Sequence, residues 1–256
     1  MKNNKKIQFF GILVYFLIAS IFITMFKLGY IYGAIIYLIF PSIFITLKNK
    51  SIFKKTLIFS IVLSAPLVFV FDYIATMSRA WFEITSSGIR ILGTFPIETF
   101  VWAASVTYFT ISFYEYFYDR DLRKDKFSKN FKYLYYILFL IVLVFSFIYI
   151  TNKEILIINY FYAYFALGLF ILPTIIVLSI HQKLMKKVIY QGLFFLLLSI
   201  IYEITAIHAG HWIFPGQYLG FVEILKFRFP LEEFIWLVFC VPATISIYEV
   251  FVDDRK

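Results

Sequence analysis

Asp72 lies nine residues before Trp81, and Glu203 lies nine residues before Trp212. Glu98 follows Pro96-Ile97, and Glu232 follows Pro230-Leu231. Glu233 adds a fifth carboxylate, and Thr99 stands at its matching position. Carboxyls held close together in an apolar site cannot all ionise, so at least one keeps its proton beside an acceptor. That is the equipment of general acid–base chemistry. The aromatics recur with the acids: Trp81, Phe100 and Trp102 match Trp212, Phe234 and Trp236. Aromatic faces attract cations, more strongly when water is excluded. The set predicts catalytic carboxyls at Asp72, Glu98, Glu203, Glu232 and Glu233, walled by those six aromatics. Simpler roles compete: a Glu in a first turn suits a helix N-terminus, and Trp anchors at lipid interfaces.

The elements that must hold these residues are membrane helices. Of 256 residues, 62% are apolar and only 15% are charged, against about 45–50% and about 25% in soluble domains. A soluble globular domain, a disordered chain and a nucleic-acid module are excluded. A crossing helix needs about 20 mostly apolar residues. Eight runs qualify, near 8–26, 30–47, 56–76, 97–118, 133–150, 158–180, 188–207 and 231–251. The break between the first two, at Lys27 to Gly29, is the weakest, and a seven-helix reading would merge or demote one of them. The first run begins basic and then apolar like a signal peptide, but it lacks a small-residue cleavage site and more apolar runs follow. The fold class expected is all-α, a polytopic helical bundle.

Eighteen Lys and Arg fall on the side of the termini and of the loops near 48–55, 119–132 and 181–187, against six on the other side. The positive-inside rule places both termini in the cytoplasm, in the cell membrane. The net charge of +9 is therefore a topology signal rather than a nucleic-acid patch.

The chain also repeats itself. Ile111 to Arg120, ISFYEYFYDR, recurs as Ile245 to Asp254, ISIYEVFVDD, at an offset of 134. Pro96-Ile97-Glu98 matches Pro230-Leu231-Glu232 at that offset, Asp72 matches Glu203 at 131, and Phe40-Pro41 matches Leu172-Pro173 at 132. Two four-helix halves, 1–126 and 127–256, are expected. An even helix count per half makes the repeats parallel. Asp72, Glu98, Glu203 and Glu232 then all lie at the non-cytoplasmic ends of neighbouring helices.

At these residues the sequence resembles the membrane-integral lycopene cyclases, the non-flavin carotenoid cyclases found as paired subunits or one fused chain. The resemblance rests on Phe71-Asp72-Tyr73-Ile74-Ala75 leading to Trp81, on Pro230-Leu231-Glu232-Glu233-Phe234, on Pro96-Ile97-Glu98-Thr99-Phe100, and on the Gly88 to Gly93 approach. It covers 30–118 and 158–251. Thr99 departs from the family's second Glu, and Glu203 stands where Asp is commoner. The resemblance implies redox-neutral cyclisation of an acyclic carotenoid end group with no cofactor. Glu232 and Glu233 would carry protonation, with Glu98, Asp72 and Glu203 supporting. It also implies entry of the polyene from membrane lipid, and a second copy or other carotenoid enzymes as partners.

Other chemistry is thinner. A small transporter or sensor with a protonatable cluster is the alternative, although the broken Gly/Pro-rich helices of transporters are absent. A retinal protein needs a lysine deep in a late helix, and the last two runs contain none. His208 and His211 could join Glu203 at a metal, but two His from one helix end read more simply as interfacial. Asp121 and Asp125 sit in a Lys/Arg-rich linker. The single Cys240 forms no internal disulfide and no paired-cysteine metal site.

Overall fold

In the computed structural model, residues 3–119 and 127–253 are described. They form eight helices: α1 (Asn3–Phe26), α2 (Tyr30–Lys48), α3 (Lys50–Met77), α4 (98–119), α5 (Phe131–Asn152), α6 (Phe161–Ile180), α7 (Met185–Ala209) and α8 (Leu231–Phe251). All but α4 are long and apolar enough to cross a membrane. The turn at Lys27, with φ of 48°, does separate α1 from α2. The helix that falls short of a membrane-type composition is instead α4. It carries Thr99, Ser105, Thr107, Thr110, Ser112 and Glu115, and its second half is buried from Phe109 to Glu115. Along that buried half its side chains meet other helices rather than lipid, where polar residues are tolerated.

Outward faces are apolar instead. Phe139, Leu140, Phe147 and Ile150 of α5 are more than half exposed, as are Ile18, Ile21 and Met25 of α1. A soluble chain would bury such rows, whereas a bilayer solvates them. The linker core at 120–126, with Asp121 and Asp125, lies outside the described residues.

Four helices contain π-turns: Ile35–Ile39 in α2, Val68–Asp72 in α3, Glu115–Asp119 in α4 and Ala166–Ile171 in α6. Pro41 and Pro173 stand two residues past the ends of two of them. Proline supplies no N–H and crowds the carbonyl four residues back, here Tyr37 and Leu169, so the helix widens there. The turn in α3 ends on Asp72, and the extra residue sets where that carboxyl points.

At the end bearing the termini, α4 and α8 exchange side chains. Tyr114 donates to Glu249, and Tyr248 donates to Glu115 Oε1 at 2.5 Å. Lys187 Nζ pairs with Asp119 at 2.5 Å and Lys55 Nζ with Asp253 at 3.9 Å. Burying a carboxylate is tolerated only with such partners. Tyr248→Phe is expected to cost about 1–3 kcal/mol, the penalty of orphaning a buried polar group. Tyr114→Phe should cost the same. Unfolding by SDS titration in mixed micelles checks both, and their double mutant should show coupling because the two bonds tie one helix pair.

The opposite end carries the chain's little sheet, which the all-α expectation omitted. Strand β1 (82–83) pairs antiparallel with β4 (212–213), β2 (90–91) with β3 (95–96), and β5 (221–224) with β6 (227–230). Loops that leave helix ends still have backbone N–H and C=O groups to satisfy, and short ladders do it locally. The β1–β4 ladder sets Glu83 opposite Trp212, and Ile84 N extends it to His211 O at 2.8 Å.

Candidate functional site

Where α3 and α7 end beneath the β1–β4 ladder, the bundle encloses a cavity with about 160 Å³ of free space. All four tryptophans of the chain line it: Trp81, Trp102, Trp212 and Trp236. Four carboxylic acids line it as well: Asp72, Glu83, Glu203 and Glu233. The remaining wall is mostly apolar, with Leu63, Phe71, Phe165 and Phe170 among it.

The acids form two sets. Trp81 Nε1 donates to Asp72 Oδ1 at 2.9 Å, and the Asp72 carboxyl lies within hydrogen-bond reach of Glu83. Trp212 Nε1 donates to Glu203 Oε1 at 2.9 Å. Beside Glu203 lies Glu233, whose Oε2 accepts from Tyr162 OH at 2.5 Å. Each acid is at most 9% exposed. Among the described residues none of the four forms an ion pair. Arg90 comes nearest to Glu83, but its guanidinium donates to the Glu83 and Thr94 carbonyls and stacks on Phe82. Burial pushes the Glu83 carboxyl above the ordinary carboxylate range. Burial outweighs the opposing pull of Arg90 there, and two carboxyls side by side disfavour ionising together.

The aromatic wall is continuous. Trp102 stacks on Trp236 with centroids 5.8 Å apart and 25° between planes, and it meets Trp212 edge-on at 6.2 Å. Trp102 Nε1 donates to Tyr202 OH at 2.9 Å. Trp81 packs on Tyr162 at 4.8 Å and on Phe165 at 5.4 Å. The indole N–H groups of Trp81, Trp102 and Trp212 are thus engaged by Asp72, Tyr202 and Glu203, while their rings also line the cavity. Such faces suit a guest that becomes cationic.

The sequence-predicted residues divide. Asp72, Glu203 and Glu233, with the four tryptophans, converge on the cavity. Glu98 and Glu232 do not line it. Glu98 accepts from Ser86 N at 2.8 Å and Ser87 N at 2.6 Å, and Glu232 accepts from Leu219 N at 2.7 Å. At the first turns of α4 and α8 both fasten the preceding loop to the helix, the role open to any Glu near a helix N-terminus. Phe100 faces an outward apolar groove with Val101 and Tyr108, and Phe234 is not among the cavity's residues. Glu83 is the acid that sequence reasoning missed. Its matching position holds Phe214, so the repeat gives no signal for it; only its place two residues after Trp81 does. Tyr162 was missed likewise, inside an ordinary interfacial Tyr run.

His208, His211 and Glu203 do not gather; among the described residues the carboxylates that approach one another closely enough for an ion are Glu115, Asp119 and Asp253, at the other end. Two of these also pair with Lys187 and Lys55. His211 is 1% exposed, its Nε2 is 2.9 Å from Leu28 O, and its ring rests on Trp212 and Tyr30. Gly33 makes this possible, since a Cβ there would stand 2.6 Å from His211 Cε1. Burial lowers the His211 pKa below 6.5, so the unfolded chain binds the proton first. Stability should fall as pH drops through about 6.5. His211→Asn should flatten that part of the pH profile of thermal unfolding relative to the parent.

Against models of protein families, characterised proteins and solved structures, the chain shows no match.

Proposed function

We propose that this chain is an integral-membrane carotenoid end-group cyclase of the lycopene cyclase kind. The observation that carries the reading is the convergence of four carboxylic acids, none in an ion pair, and every tryptophan of the chain on one apolar cavity. Its free space, about 160 Å³, is close to the ~150 Å³ that accepts a benzene-sized guest. A ring-forming end group fits, while the rest of a long polyene must lie outside in the lipid.

In the proposed reaction a protonated carboxyl adds its proton to the terminal double bond. The tertiary cation is attacked by a second double bond, closing a six-membered ring. A carboxylate then removes a proton beside the new cationic carbon, leaving a ring double bond. Atoms and electrons balance within the substrate, so no electron carrier is called for. Stacked indoles stabilise the cation, by about 2 kcal/mol or more for a desolvated contact.

We also read the chain as two parallel four-helix repeats, 1–126 and 127–256. Matched contacts support this: Asp72–Trp81 with Glu203–Trp212, Glu98 with Glu232 on loop amides, and the exchanged Tyr114–Glu249 and Tyr248–Glu115 bonds. On this reading both termini are cytoplasmic in the cell membrane. A second copy or other carotenoid enzymes would be its partners.

One feature favours a proton-coupled transporter instead. Thr56, Thr110 and Gln191 are buried, each with a side-chain oxygen lacking a partner, between the cavity and the basic end. Expression in a lycopene-accumulating host separates the two. A cyclic product of unchanged mass supports the cyclase. Unaltered pigment, together with pH-driven dye acidification in vesicles holding the purified chain, supports the transporter.

A further inference from the structure

We infer that Glu83 is a catalytic acid of this cavity, taking the place left vacant at Thr99, so that each half supplies one carboxyl pair. The inference rests on the cyclase and repeat readings. In the second half the pair is Glu203 with Glu233, and Tyr162 donates to Glu233. In the first half the matching Tyr30 is in place, but Thr99 stands where the second Glu would be, and its buried hydroxyl lies beside the Tyr30 hydroxyl. Glu83 reaches the same cavity from the loop after α3, beside Asp72 and Tyr30. Its Oε2 is buried, and the Asp72 carboxyl and the Trp81 indole are the side chains within hydrogen-bond reach of the Glu83 carboxyl, Asp72 being the one that can share a proton with it. The exchange is complementary. Where the second half has Glu233 the first has Thr99, and where the first has Glu83 the second has Phe214, which also lines the cavity.

The placement of Glu83 is not incidental to the other pair. In the β1–β4 ladder Glu83 stands opposite Trp212, and the Trp212 indole holds Glu203. One two-residue ladder thus registers both pairs across the cavity. Proton flow then has two sides. One pair, entering fully protonated, gives one proton to the substrate carbon and keeps the other between its carboxyls. The other, starting with one proton, accepts the proton lost from the ring and becomes fully protonated. Exchange with water resets both. The groups around Glu83 that govern its charge are Asp72 from α3, Tyr30 from α2 and Arg90 from β2.

The test is infrared spectroscopy of the full chain in nanodiscs at neutral pH, reading the C=O stretch of protonated carboxyls, with product analysis alongside. Glu83→Gln should remove one carboxyl component that Glu203→Gln retains. Asp72→Asn should remove the same component without touching the ladder, which guards against a local misfold in Glu83→Gln. Ring closure should fall by about 10²–10⁴ in Glu83→Gln, the range of a lost general acid. Glu83→Gln/Thr99→Glu should recover much of it. A component and a rate both unchanged in Glu83→Gln overturn the inference and leave the cyclase standing. A wild type that forms no ring, yet loses the component in Glu83→Gln, removes the cyclase reading and leaves the carboxyl pair intact.

Discussion

Glu233→Gln is expected to lower ring formation by about 10²–10⁴, while Glu232→Gln leaves the rate within a few-fold of the parent. The two residues are adjacent in sequence and both carboxyls are buried, so composition alone predicts equal effects. Their surroundings do not. Glu233 lines the cavity, accepts from Tyr162 at 2.5 Å and neighbours Glu203. Glu232 is turned to the loop, where it accepts from Leu219 N at 2.7 Å. Glutamine keeps an acceptor for that amide, so Glu232→Gln should cost the loop little. At Glu233 the same change removes the only function that matters there, the gain and loss of a proton. Turnover of lycopene in membranes, scaled to the amount of inserted protein, distinguishes the outcomes. Equal losses in both variants would mean that the cavity is not where the proton is transferred.

Trp102→Ala should be the most disruptive single change in the wall, costing about 3–5 kcal/mol of stability. Trp102 stacks on Trp236, meets Trp212 edge-on and donates to Tyr202. Removal leaves a void next to the existing cavity and orphans the Tyr202 hydroxyl from its donor. Trp102→Phe restores part of the ring contact without the N–H, and should recover more than half of the lost stability. If cation stabilisation by the stacked pair is real, the phenylalanine variant should still turn over slowly, because benzene offers a weaker face than indole. Chemical unfolding in detergent and initial rates on the same preparations measure both effects.

Much of this arrangement was legible in the sequence. Helix positions follow from apolar run length, and the observed helices overlap every expected run, most extending a few residues past it at basic ends such as Lys50 and Met185 to Lys187. Asp72, Glu203 and the tryptophans were found because they recur at matched spacing. The rest was hidden for identifiable reasons. Glu98 and Glu232 recur as regularly as the cavity acids, since holding a loop onto a helix start is as repeatable a task as catalysis; spacing cannot tell which way a carboxyl points. Glu83 breaks the repeat and depends on a ladder between residues 129 apart in register, Glu83 and Trp212, a pairing that no local pattern encodes. Helix α4 reads as a span by length, yet its threonines and serines mark a helix whose second half is enclosed by protein. The Tyr–Glu exchange between α4 and α8 was present in sequence as a repeated YE pair, Tyr114-Glu115 and Tyr248-Glu249. Only the fold shows that each tyrosine serves the other helix's acid.

Proton transfer from carboxyl to polyene is tested by cyclisation of lycopene by the purified chain in D₂O, with the product separated by chromatography and its mass recorded. An acid–base isomerisation takes its proton from carboxyls that exchange with solvent. The expected product is therefore an isomer of unchanged mass in ordinary water, with one deuterium gained for each ring closed in D₂O. A cyclic product carrying no deuterium, or unaltered lycopene from well-folded protein, would contradict acid–base cyclisation.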